Sequence, residues 1–152
     1  MAAAPTKVKI LIAEDNPQGA ELLEAYLADL DCETRLATDG LETLRLVEEW
    51  QPDLVLLDIM MPRVSGFEVC KRLRHNPQTQ HIPIVMITAL DQPSDIERAV
   101  EAGTDDFLTK PIHKKELLVR IRALLDSRHE KRPLDRALAY FREVDRYRQS
   151  AA

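Results

Sequence analysis

The sequence predicts a doubly wound α/β sandwich of five parallel strands in the order 2-1-3-4-5, with helices on both faces and an extra helix at the C-terminal end. Three observations carry this expectation. Short apolar runs alternate, five times in succession, with longer stretches whose apolar residues recur at spacings of three and four. The runs at 8–13, 54–57 and 82–87 are apolar without alternation, as in strands covered on both faces of a parallel sheet. The remaining runs, 33–37 and 106–109, are more polar and fall at the sheet edges, with right-handed crossovers joining all five.

The first strand stops at Glu14-Asp15-Asn16-Pro17, where Asn16 is suited to cap a helix and Pro17 to occupy its first position. That helix carries Ala20, Leu23, Leu27 and Leu30 on one face. After the second strand, Asp39-Gly40 turns the chain into a helix with Leu41, Leu44 and Val47 on its apolar side, ending before Pro52. The third strand ends on Asp58 in Leu57-Asp58-Ile59-Met60-Met61-Pro62, and a loop containing Gly66 leads to a helix with Val69, Cys70 and Leu73 inward. His75-Asn76-Pro77 breaks it. The fourth strand ends on Thr88-Ala89, and the helix through Ile96, Ala99 and Val100 stops at Gly103, a left-handed cap. The fifth strand closes on Lys110-Pro111 and is followed by a helix marked by Leu117, Leu118, Ile121, Leu124 and Leu125. Residues 1–126 read as this domain and residues 127–152 as a helical extension or linker, with Leu134, Leu138, Phe141 and Val144 on one stripe. The stripe suits either packing back on the domain or pairing between chains as a homodimer.

At 152 residues, 45% hydrophobic and 31% charged, the chain is one ordinary globular domain with a short remainder. No run approaches the ~18 apolar residues of a membrane helix, and Met1-Ala2-Ala3-Ala4-Pro5-Thr6-Lys7 lacks the apolar centre of an export signal. Two cysteines without a shared motif, Cys32 and Cys70, read as reduced thiols in a cytoplasm. The net charge of −5 is uneven: the first 126 residues hold 14 basic and 22 acidic side chains, a poor surface for nucleic acid. His75, His81, His113 and His129 have no ligand spacing and read as surface residues, and Trp50 reads as packing at a helix end.

In this fold, ligands collect at the carboxyl edge of the sheet. The ends of strands one, three, four and five bring Glu14, Asp15, Asp58, Thr88 and Lys110 to that edge. Taken singly, each has an ordinary reading as a helix-start acid, a strand-end residue or a surface lysine. Jointly they form a site. Three carboxylates on one rim repel one another unless a cation joins them, and a hard ion such as Mg²⁺ takes carboxylate, carbonyl and water oxygens. Glu14, Asp15, Asp58 and the Met60 carbonyl make such a set, with Lys110 as a second positive charge, Thr88 as a hydroxyl donor and Asp58 as the nucleophile. In-line phosphoryl transfer onto aspartate needs those parts.

These residues resemble a bacterial two-component response regulator receiver domain of the chemotaxis type, over about residues 7 to 126. The likeness rests on Glu14-Asp15, on Asp58 with Met60-Met61-Pro62 and Gly66 after it, on Thr88-Ala89 and on Lys110-Pro111. The resemblance implies a flavodoxin-like sheet and a signalling domain rather than an enzyme of metabolism. Asp58 would take a phosphoryl group from a histidine kinase or a histidine phosphotransfer protein. Glu14, Asp15, Asp58 and the Met60 carbonyl would hold Mg²⁺, and Lys110 would pair with the phosphoryl group. It further implies a cis Lys110-Pro111 bond. Thr88 and Phe107 would be the switch pair that alters the face of the fourth helix, fifth strand and fifth helix; Phe107 stands where many relatives carry tyrosine. Two other classes compete. An aspartate-nucleophile phosphatase usually has an acid two residues after its nucleophile, where this chain has Met60; an adaptor keeps the fold without the chemistry.

Overall fold

The computed structural model describes residues 7–150, so the reading of the chain start as free of an export signal falls almost wholly outside the described residues. The elements are β1 (Val8–Ala13), α1 (Pro17–Leu27), β2 (Cys32–Ala37), α2 (Gly40–Trp50), β3 (Leu54–Asp58), α3 (Gly66–Arg74), β4 (Ile84–Thr88), α4 (Pro93–Ala102), β5 (Asp106–Thr109), α5 (Lys114–Ser127) and α6 (Pro133–Ser150). The five strands are parallel in the order β2-β1-β3-β4-β5, as expected.

Period-two alternation splits the central strands between two cores. Leu11, Val55, Leu57, Ile84 and Met86 join the core under α2, α3 and α4. Ile10, Ile12, Leu54, Leu56, Val85 and Ile87 join the core under α1 and α5. Covering on both faces explains why these strands are apolar throughout. Helix starts follow local chemistry: Asn16 Oδ1 accepts hydrogen bonds from the Gln18 and Gly19 amides at 2.9 and 3.1 Å, and Asp39 Oδ1 accepts from the Glu42 amide at 2.8 Å. Gly103 ends α4 at φ 102°, a left-handed cap.

Two faces differ from the periodicity reading. In α2, Leu41 is exposed, and the inward positions are Thr43, Leu46, Val47 and Trp50. Both sets fit helical spacing, and turning Trp50 and Leu46 inward removes more apolar area from water than turning Leu41 inward. In α6, Leu134, Leu138 and Phe141 are exposed; only Val144 of the expected stripe is buried, together with Tyr140. Here the decision is polar. Burying Tyr140 lets its hydroxyl donate to Asp106 at the head of β5, where Arg120 of α5 also pairs with that carboxylate at 2.9 Å. Arg148 adds an ion pair with Glu116 at 2.5 Å. Thus α6 packs back along α5, and Tyr140 and Val144 share the second core. Among the described residues no helix is long and apolar enough to cross a membrane.

Candidate functional site

Parallel register brings four strand ends to one edge: Ala13 lies beside Leu57, Asp58 beside Ile87, and Thr88 beside Thr109. Side chains at or just past these strand ends therefore share one edge. Glu14 is anchored there by its amide, which donates to the Ala37 carbonyl at 3.0 Å, and its side chain is buried. Asp15, next along, is exposed. Carboxylate oxygens of Glu14, Asp15 and buried Asp58 lie within 4.8 Å of one another. Lys110, beyond β5, donates from Nζ to Glu14 Oε1 at 2.6 Å and to Asp58 Oδ2 at 3.0 Å. Its amide donates to the Thr88 carbonyl at 2.7 Å, which ties this loop to β4, and the Lys110-Pro111 peptide is cis, as expected.

The Met60 amide donates to Asp58 Oδ1 at 2.9 Å, so the backbone of Met60 stands at the site while its side chain points to solvent. Thr88 is fully buried at the same edge, and its Oγ1 accepts from the Leu90 amide at 3.2 Å rather than reaching Asp58. Phe107, on β5, is partly buried against the core of α2, α3 and α4. The expected residues thus meet in one place, with Thr88 and Phe107 beside the acidic notch rather than in it. All four histidines are exposed, and Trp50 is packed at the end of α2.

Two glycines shape the site. A Cβ on Gly66 would stand 2.6 Å from the Asp58 carbonyl oxygen and 2.6 Å from Ile59 Cα, so the start of α3 lies directly on the loop that presents Asp58. A Cβ on Gly19 would stand 2.7 Å from Glu14 Oε1. Sequence reasoning passed over Gly19, although a glycine inside the first turn of a helix costs about 0.5–1 kcal/mol relative to alanine and so signals a close approach.

Burial, followed by hydrogen bonding with and repulsion from Asp58, pushes the Glu14 carboxyl up to about 7, against the opposing pull of Lys110. Burial alone would lower the Lys110 ammonium, but its hydrogen bonds to Glu14 and Asp58 hold it above its ordinary value. Carboxylate ligands must be ionised to bind a hard cation. Below about pH 7 Glu14 holds its proton, so divalent cation affinity rises with pH. Between pH 6 and pH 8 the expected gain is about tenfold, one proton being displaced. Titration with Mg²⁺, followed by calorimetry, measures it; an affinity flat across this range would remove Glu14 from the ligand set.

The chain matches the family model "Response regulator receiver domain" over residues 10–122. It is 43% identical over 117 residues to the DNA-binding dual master transcriptional regulator RpaA of Synechocystis, a match covering 77% of this chain and 48% of that protein. The chain therefore spans about half the length of that relative. Among solved structures, the signal receiver domain of a histidine kinase from Syntrophus aciditrophicus aligns with TM-score 0.76 and 33% identity, covering 83% of this chain and 96% of the other. The receiver domain of sensor histidine kinase PA1611 from Pseudomonas aeruginosa, with a magnesium ion coordinated in its active site cleft, aligns with TM-score 0.69 and 31% identity over 74% and 93%.

Proposed function

The chain belongs to the response regulator receiver domain family of two-component signalling, and from that premise we propose that it is switched by transfer of a phosphoryl group onto Asp58. The observation carrying this reading is the convergence of Glu14, Asp15 and Asp58 on one notch with Lys110 held between two of the acids. The donor is the phosphohistidine of a histidine kinase or phosphotransfer protein. An Asp58 oxygen attacks phosphorus, the P–N bond breaks and the imidazole leaves. Lys110 carries a fixed positive charge toward the equatorial oxygens, where charge must be neutralised in the transition state.

Three clustered oxygen donors of one charge fit Mg²⁺, with Glu14, Asp15, Asp58 and the Met60 carbonyl as the proposed ligands. When bound, the ion neutralises charge on the acids and on the transferring oxygens. Thr88 is the proposed sensor: its hydroxyl trades the Leu90 amide for the phosphoryl oxygen, and the vacated volume admits the Phe107 ring. The readout is the side of the domain built by α4, β5 and α5. Residues 1–126 are taken as the phosphoacceptor unit and 127–152 as its helical extension.

RpaA is named as DNA-binding, and that naming belongs to RpaA. For these 152 residues the acidic balance favours protein partners over nucleic acid, and two cysteines without a shared motif favour a cytoplasmic site of action. Likeness to the chemotaxis type is taken no further than the shared receiver fold.

Incubation with a small phosphodonor and Mg²⁺ tests the reading. A single stable mass increase lost in Asp58→Asn supports it; continuous phosphate release from many esters supports a phosphatase, and no reaction an adaptor. Lifetime gives a finer test. Met60 is exposed and Leu90 partly so, both two residues beyond a site residue, and their bulk hinders an attacking water. Met60→Asn is expected to speed dephosphorylation several-fold in a mass-resolved time course. An unchanged rate would remove Met60 from control of water.

A further inference from the structure

A cavity of about 410 Å³ lies between α6 and the amino edge of the sheet, the end opposite Asp58. Pro133, Arg136, Ala137, Tyr140 and Phe141 form one wall, five positions that recur at helical spacing on a single flank of α6. The facing wall comes from the residues that lead into β4 and β5 and from α5. That volume suits a small organic molecule.

Hydrogen-bond accounting fixes the charge of the occupant. The cavity is lined by three arginines, Arg120, Arg128 and Arg136, by two acids, Asp105 and Asp106, and by exposed His81. Both acids are already engaged. Asp105 Oδ2 accepts from Arg74 at 2.7 Å and from the Ile84 amide at 2.8 Å. Asp106 accepts from the Phe107 amide at 2.7 Å, from Arg120 at 2.9 Å and from the Tyr140 hydroxyl. Arg120 also donates to Glu116, at 2.8 Å. The other two arginines hold no carboxylate so closely. Arg136 Nη1 donates to the carbonyls of Glu130 and Lys131 at 3.0 and 2.8 Å, which leaves its charge without an ion pair among the described residues. Arg128 Nη1 is shut off from solvent with no acceptor among the described residues, and the nearest carboxylate oxygen, Asp53 Oδ1, is 3.9 Å away, past hydrogen-bond reach. An unpaired buried N–H is costly, so this guanidinium gains by turning Nη1 onto an acceptor in the cavity. The walls therefore offer donors and positive charge in excess, beside apolar surface from Leu124, Ala137 and the exposed ring of Phe141.

We propose that this cavity binds a small organic oxyanion, a carboxylate or phosphate monoester on a flat apolar body, with its head between Arg128 and Arg136 and its body against Phe141 and Leu124. The planar guanidinium fork matches either head. One wall is α6 and the other is the domain, so the bound molecule joins the two and holds α6 on α5. No acid of the Asp58 notch lines the cavity, so the site stands or falls apart from the phosphoryl reading.

Calorimetry on the full chain with naphthoate, naphthyl phosphate and uncharged naphthamide is the test. At least one of the two anions is expected to bind at a single site, about tenfold or more tighter than naphthamide, as charge-assisted hydrogen bonds require. The tighter anion identifies the head that the site takes. Arg128→Gln and Arg136→Gln, each expected to unfold at the wild-type temperature, weaken that anion by about tenfold or more. Arg142→Gln, exposed on α6 and outside the cavity, leaves binding unchanged. Phe141→Ala weakens anion and amide alike, and amide hydrogen exchange over α6 slows at saturating anion. The proposal is overturned if neither anion saturates, if naphthamide binds as tightly, or if binding survives both arginine variants. Unchanged exchange over α6 at saturation overturns it too, since the ligand then sits elsewhere. Asp58→Asn is expected to bind the anion as the wild type does, so failure of this site and failure of the phosphoryl reading are told apart.

Discussion

Lys110→Ala is expected to slow phosphorylation of Asp58 by about 10²- to 10³-fold, the loss seen when one preorganised charge-stabilising donor is removed from an acyl- or phosphoryl-transfer site. The side chain donates to Glu14 at 2.6 Å and to Asp58 at 3.0 Å, and no other cation pairs with either acid among the described residues. Removing it leaves three carboxylates facing one another and takes away the one force lowering the Glu14 carboxyl, which then moves above its present value of about 7. The fold survives, because Glu14 answers the lost charge by keeping its proton. Mg²⁺ affinity should therefore fall less at pH 8 than at pH 7. Intact-mass time courses with a small phosphodonor at saturating Mg²⁺, set beside thermal unfolding, measure both effects. A wild-type rate in a folded Lys110→Ala chain would exclude the lysine from the chemistry.

Gly66→Ala is expected to act through the backbone. Its new Cβ would meet the Asp58 carbonyl oxygen and Ile59 Cα, each at 2.6 Å, and main-chain atoms have no rotamer to yield. The Gly66 amide also donates to the Ile59 carbonyl at 2.9 Å, so α3 cannot withdraw without breaking that bond. Overpacking of this kind costs about 1–3 kcal/mol. In this position it also tilts the loop that aims Asp58, and misplacement of about 1 Å can cost on the order of 10² in rate. Chemical denaturation and phosphorylation kinetics should therefore fail together. Stability lost by less than about 0.5 kcal/mol, within the range of an ordinary surface change, would show that the loop has slack.

Much of this was legible along the chain. The unbroken apolar runs of β1, β3 and β4 are what burial on both faces requires, so strand order followed from which runs were polar enough to stand at an edge. The caps at Asn16 and Gly103 are local, set by one side chain or one missing Cβ, and hence readable from a few residues. The notch was readable because parallel strands deliver their ends to one edge whatever their separation in sequence, so an acid after β1 and a lysine after β5 had to meet.

Other features depend on what packs against what. Helical spacing alone admits Leu41 or Leu46 inward in α2, and the bulk of Trp50 chose Leu46. In α6 the aliphatic stripe was the stronger periodic signal, yet Tyr140 turned inward because Asp106 and Arg120, remote in sequence, offered its hydroxyl partners. Gly19 looked like an indifferent helix residue until Glu14 folded against it.

By itself, then, the order of residues determined the sheet, its edge and which side chains gather there, because strand burial and strand direction are properties of short segments. Tertiary structure alone decided which helix faces stay in water, how close Lys110 comes to its two acids, and that α6 lies on α5. Those outcomes turn on competition among distant surfaces for the same buried area and the same hydrogen-bond partners, which no local pattern records.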